Sequence, residues 1–98
     1  MYARVARWEG AEVDALRRSA EEINSRAQSG PPPGVPARGF LMLIDPESGR
    51  SLAVALFETE EDLQTGDQTL NDMNPPSGDD VGRRTSVETY EVAVDVRI

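Results

Sequence analysis

The stretch GFLMLIDPESGRSLAVALFE, residues 39–58, constrains the fold more than any other part of the chain. It sets two apolar runs, Phe40–Ile44 and Ser51–Glu58, on either side of the hexapeptide DPESGR. Pro46 pre-sets φ for the second position of a turn, Asp45 offers a carboxylate to backbone N–H groups, and Gly49 supplies positive φ near the exit. That combination suits a hairpin loop of common length, so the two runs must lie antiparallel. Phe40–Ile44 is continuously apolar and is expected to be buried on both faces. In Ser51–Glu58, Leu52, Val54 and Leu56 share one face while Ala53, Ala55 and Phe57 share the other, so both faces need cover. The charges of DPESGR then serve the turn and its solvation.

The flanking segments complete a pattern. In YARVARW, residues 2–8, a period of two puts Tyr2, Arg4, Ala6 and Trp8 on one side of a strand and Ala3, Val5 and Arg7 on the other. Gly10 breaks it. From about Ala11 to Gln28, Val13, Leu16, Ala20, Ile23 and Ala27 recur three or four apart, which predicts an amphipathic helix. SGPPPGVPARG, residues 29–39, cannot be helical and reads as a stiff connector within one domain. Its Pro33 and Pro36 form a PxxP pair of a kind common in any proline-rich loop. Thr59 is a helix N-cap, with Glu60, Glu61 and Asp62 in the first turn where negative charge meets the helix dipole. Leu63, Leu70 and Met73 continue that helix, weakened by Gly66, until Pro75 and Pro76. Residues 74–84 read as a loop, and a last strand is expected from Thr85 to Arg97, with Tyr90, Val92, Val94 and Val96 on one face.

The order β-α-β-β-α-β, with right-handed crossovers, predicts an α+β ferredoxin-like antiparallel sheet of order 4-1-3-2 with two helices on one face. Residues 1–98 then form a single domain. The other sheet face carries too much apolar surface for a monomer, so a homodimer packed sheet on sheet is expected.

Composition narrows the chemistry. The chain has no cysteine and no histidine, which removes thiolate nucleophiles, disulfides, imidazole bases and the usual zinc sites. All 10 basic residues are arginine, so Schiff-base chemistry and a Walker A lysine are excluded as well. A formal charge of −8, from 18 acidic residues against 10 basic ones, opposes binding to nucleic acid or to an anionic membrane surface. No run approaches the roughly 20 apolar residues of a spanning helix, and MYARVARWEG lacks a signal-peptide core, so a cytoplasmic location is expected.

Several local motifs together resemble the antibiotic biosynthesis monooxygenase-like proteins of the dimeric α+β barrel superfamily. They are the YARV strand running to Trp8, Glu9 and Gly10, the Gly39–Phe40 pair, the D-x-x-x-G-R turn at 45–50, F-E-T-E-E-D-L at 57–63 and S-V-E-T-Y-E-V-A-V at 86–94. The resemblance implies two sheets packed face to face into a small barrel. Any small-molecule pocket would lie between sheet and helices or within the barrel. It also implies a small hydrophobic or aromatic ligand and, for an enzyme, cofactor-free monooxygenase-like chemistry. The heme-degrading branch of that superfamily needs an axial histidine, which this chain lacks. The asparagines Asn24, Asn71 and Asn74 match no catalytic set of the cofactor-free oxygenases, and none is assigned a role from it.

Four residues are candidates for ligand binding: Tyr2, Arg4, Trp8 and Tyr90. If their side of the first strand lines a pocket, Arg4 can hold an anionic or carbonyl-bearing group while the rings of Tyr2 and Trp8 stack on it. Alternatively Arg4 makes an ion pair with Glu88, Glu91 or Asp95 of the last strand and Trp8 packs under the helix that follows, as buried charges in small domains usually do. The Tyr90 phenol can donate to a substrate oxygen, or simply reach the rim of the core. Arg83 and Arg84, being adjacent, point to opposite faces. The carboxylates of Glu58–Asp62 and of Asp79–Asp80 match no metal-ligand spacing, so no metal and no cofactor are expected. A non-catalytic dimeric binding or scaffold module remains the alternative to an enzyme.

Overall fold

The DPESGR turn closes as its composition requires. In the computed structural model, which describes residues 1–72 and 82–98, it joins β2 (Gly39–Asp45) to β3 (Arg50–Phe57), with Asp45 and Arg50 the last opposed pair of the ladder. Arg50 Nη2 donates to Asp45 Oδ2 at 2.9 Å and its Nε to Ser48 Oγ at 2.8 Å, so the loop's charges satisfy one another. Gly49 has φ +70°, and a side chain there would strike the Ala11 carbonyl oxygen, whose own N–H donates to the Gly49 oxygen.

The remaining elements are β1 (Tyr2–Glu9), α1 (Val13–Ala27), α2 (Glu60–Asp72) and β4 (Arg83–Glu91). The sheet order is β2-β3-β1-β4 with every neighbour antiparallel, the ferredoxin-like topology expected from the sequence, with the helices on one face. Register assigns the faces. Tyr2 lies opposite Phe57, Arg4 opposite Ala55, Ala6 opposite Ala53 and Trp8 opposite Ser51, all on the helix side. Ala3, Val5 and Arg7 oppose Leu56, Val54 and Leu52 on the open side.

The core sits between α2 and the sheet. Phe57 is fully buried against Val35, Ala55 and Leu63, with Tyr2, Ala37 and Leu70 packed around them. Val35 comes from the proline-rich connector, so that segment contributes to the core as well as spanning the sheet. Gly66 has its reason here: a Cβ on that turn of α2 would come within 2.5 Å of Phe57 Cζ. The residue that weakens the helix in isolation is the one that lets the ring fit beneath it. Thr59 caps α2 as expected, its Oγ1 accepting from the Asp62 N–H at 3.1 Å, a contact of about 1 kcal/mol.

Three expectations are corrected. β2 is an edge strand and is not buried on both faces: Leu41 and Leu43 are 49% and 51% exposed on the open side. β4 ends at Glu91 instead of Arg97. Its partner β1 begins at Tyr2, opposite Glu91, and the Val92 N–H donates to the Met1 carbonyl oxygen, so the ladder ends before Val94 and Val96. In α1 the buried stripe centres on Leu16 and Ser19, while Val13 and Ala27 are exposed. Ser19 Oγ is buried there without a hydrogen-bond partner among the described residues.

Candidate functional site

The helix side of β1 brings Tyr2, Arg4 and Trp8 onto one face, as their spacing predicts. Arg4 is only 5% exposed and is held from above by α2. Its Nε donates to Asp67 Oδ1 at 2.8 Å and its Nη2 to Asn71 Oδ1 at 2.9 Å. Asp67 and Asn71 are four residues apart, hence stacked on one helix face. Arg84 Nη1 donates to the same Asn71 oxygen at 3.0 Å. The expected ion pair of Arg4 with Glu88, Glu91 or Asp95 is therefore corrected to one with Asp67. Glu88 lies on the other face, and Asp95 follows the end of the strand.

Tyr90 belongs to the open side, opposite Ala3, and so is separated by the sheet from Tyr2, Arg4 and Trp8. There Arg7 Nε donates to Glu88 Oε1 at 2.8 Å and the Tyr90 hydroxyl donates to Glu88 Oε2 at 2.5 Å. These bonds, from Arg7 first and Tyr90 second, hold the Glu88 carboxyl below its ordinary range. The bond to Glu88 raises the Tyr90 phenol and the Arg7 guanidinium above theirs. The signs are opposite in consequence. Stability from Glu88 is present above the ordinary glutamate pKa and lost as pH falls through the lowered value. That from Tyr90 is present below the ordinary tyrosine pKa and lost as pH rises through the raised one. Replacing Glu88 with glutamine is expected to bring the Tyr90 titration back down toward the ordinary phenol range. Ultraviolet difference spectra against pH would measure this, and an unchanged curve would remove Glu88 as the cause.

Beside this triad the open face is apolar, with Leu41, Val54 and Val5 in one row and Leu43 and Leu52 in the next, where Arg7 continues the row. A half-open cleft of about 330 Å³ lies at this end of the sheet, lined by Arg7, Trp8, Leu43, Asp45, Arg50 and Leu52 among others, and of the four candidate residues Trp8 is the one that reaches it. Among the described residues no cluster of three or more carboxylates converges as a metal site, and Asp79–Asp80 lie outside them. The sequence did not single out Asp67 or Asn71 as partners of Arg4. Their i, i+4 spacing was legible, but not that this face of α2 would sit over Arg4.

No family model matches the sequence, and no curated protein reaches a significant match. Solved structures do match in shape. One is a Deinococcus radiodurans protein provisionally named an antibiotic biosynthesis monooxygenase, at a TM-score of 0.56 and 13% identity over 100% of this chain and 98% of that one. Another is a point variant of MhuD with two manganese protoporphyrin IX bound per active site, at a TM-score of 0.61 and 18% identity over 98% and 97% of the two chains. No helix among the described residues is long and apolar enough to cross a membrane. Topology, register and these likenesses agree that the chain has an α+β ferredoxin-like fold, the fold it shares with those two structures.

Proposed function

We propose that the protein is a cytoplasmic homodimer that binds a small hydrophobic or aromatic metabolite and acts on it, without a bound cofactor, as a monooxygenase-like enzyme. Of the candidate ligand contacts, Tyr90 borders the open sheet face and Tyr2, Arg4 and Trp8 lie on the helix side, so the two sets would serve separate surfaces. The observation that carries the reading is the open sheet face, apolar across β2, β3 and β1 and bounded by Arg7, Glu88 and Tyr90. Two such faces packed about 10 Å apart would cover Leu41 and Leu43 and close the cleft between them. The bound porphyrin of the MhuD variant supports an aromatic ligand for this fold. Without histidine, this chain offers no axial imidazole for a heme iron.

Thermal shift of the purified protein against aromatic ligands and flavins tests the reading, and no stabilisation by any of them would overturn it. Light scattering at micromolar concentration is expected to show a dimer. Leu43→Asp, on the open face, is expected to yield a folded monomer, because two buried carboxylates would face a closed apolar interface. A monomeric parent protein would end the homodimer proposal.

One observation favours the non-catalytic alternative. Arg4 is committed to Asp67, Arg7 to Glu88 and Arg50 to Asp45, so these cations serve the fold before any substrate. Oxygen consumption with a bound ligand separates the two readings.

A further inference from the structure

We infer that Arg4, Arg84 and Asn71 form an anchor for the acidic group of an aromatic carboxylate, an inference that rests on the small-molecule reading above but sets the ligand on the helix side of the sheet and not on its open face. The starting point is an electrostatic imbalance. Arg4 Nη2 and Arg84 Nη1 lie 2.9 and 3.0 Å from one neutral oxygen, Asn71 Oδ1. Two guanidinium groups therefore converge on an acceptor that carries no charge. Asp67 supplies the one counter-charge there among the described residues, and it accepts from Arg4 alone, at 2.8 Å. Arg84 has no carboxylate within ion-pair distance among them.

A buried cation beside a second cation is unfavourable in desolvation and in repulsion, and a bound anion relieves both. The geometry suits a carboxylate. Arg4 Nη1, Arg84 Nη2 and the Asn71 amide nitrogen have no acceptor among the described residues, and a guanidinium fork matches two carboxylate oxygens. The indole beside Arg84 suits a ring. Register places Trp8 opposite Arg84 and Thr89 opposite Arg4, with the buried Ala6 between them, so the half-buried Trp8 is the surface against which a ring can stack. Glu91, opposite Tyr2, stands one helix-side row beyond Arg4 and makes no ion pair with it. Because the net charge of −8 repels anions at long range, recognition must come from these short contacts.

Trp8 is the single tryptophan, so its fluorescence reports on the site. Titration of the full chain with benzoate is expected to change that signal saturably, with benzamide binding about tenfold more weakly for want of the charge. Arg84→Gln, at an exposed residue, is expected to weaken benzoate about tenfold and leave benzamide unchanged. Circular dichroism confirms that the variant is folded, and Arg84→Lys should fall between it and the parent because it keeps the charge and loses the fork. Equal binding of benzoate and benzamide would overturn the anchor while the small-molecule reading stood. So would an unaltered benzoate affinity in Arg84→Gln. Binding that appears only after Asp79 and Asp80 are both changed to asparagine would assign the counter-charge to the chain itself and overturn it too. If neither compound bound, the anchor would fall, and the thermal-shift series against aromatic ligands and flavins would decide the small-molecule reading separately.

Discussion

Phe57→Ala is expected to destabilise the protein by about 4 kcal/mol, a large share of the roughly 5–15 kcal/mol that a domain of this size has to lose. The ring is fully buried, and Val35, Ala55 and Leu63 on three different segments close around it. None of them can collapse into the space without moving the connector, the sheet or α2. Gly66→Ala measures the same packing from the opposite side. In an exposed helix that change would stabilise by about 1 kcal/mol. Here the new methyl meets the ring edge of a side chain with no room to retreat, and overpacking of roughly 1–3 kcal/mol should reverse the sign. Combining Gly66→Ala with Phe57→Leu should cost less than the sum of the two, because the smaller side chain vacates the space the methyl needs. Urea unfolding gives each value. A Gly66→Ala protein more stable than the parent would mean that the ring and the helix do not pack as described.

The second large effect concerns the buried cation. Asp67→Ala should cost about 3 kcal/mol, the lower end for removing one member of a buried pair, since the Asp67 side chain is itself 33% exposed. The loss arises mainly from leaving Arg4 charged, buried and partnered only by the Asn71 amide. Replacing both, as Arg4→Met with Asp67→Leu, should recover most of it by exchanging an ion pair for apolar packing. If Asp67→Ala changed the urea midpoint by no more than a surface substitution does, Arg4 would not be a desolvated cation, and an anion beside it would have no such charge to relieve.

How much of this was legible beforehand depended on the range of the interaction. The hairpin around DPESGR, the Thr59 cap and the alternation of Tyr2, Arg4, Ala6 and Trp8 are all set within a few residues, and each appears in the structure as read. Strand order followed because few topologies satisfy β-α-β-β-α-β with short, right-handed connections. The last strand failed at a definite place. Val92, Val94 and Val96 have the pattern and propensity of a strand, but a strand also needs a neighbour, and β1, which begins at Tyr2, pairs with β4 only as far as Glu91.

The candidate site divides in the same way. Its residue types were visible in the sequence: an arginine and two aromatic rings at strand period, and a tyrosine near the end of the chain. Their partners were not. Asp67 lies 63 residues from Arg4, and Asn71 lies 67 away. Nothing local distinguishes these polar residues of α2 from their solvated neighbours Gln64 and Gln68. Tyr90 was placed on its strand by periodicity, but its separation from Tyr2, Arg4 and Trp8 by the thickness of the sheet depends on register, which is a property of two strands and not of one. By itself, then, the sequence determined the elements, their order and the side chains each strand presents, because periodicity and turn chemistry act along the chain. Only the tertiary structure decided which acid neutralises Arg4, why position 66 must be glycine and which face stays open, because those outcomes depend on the helix crossing and strand register that bring distant residues into contact.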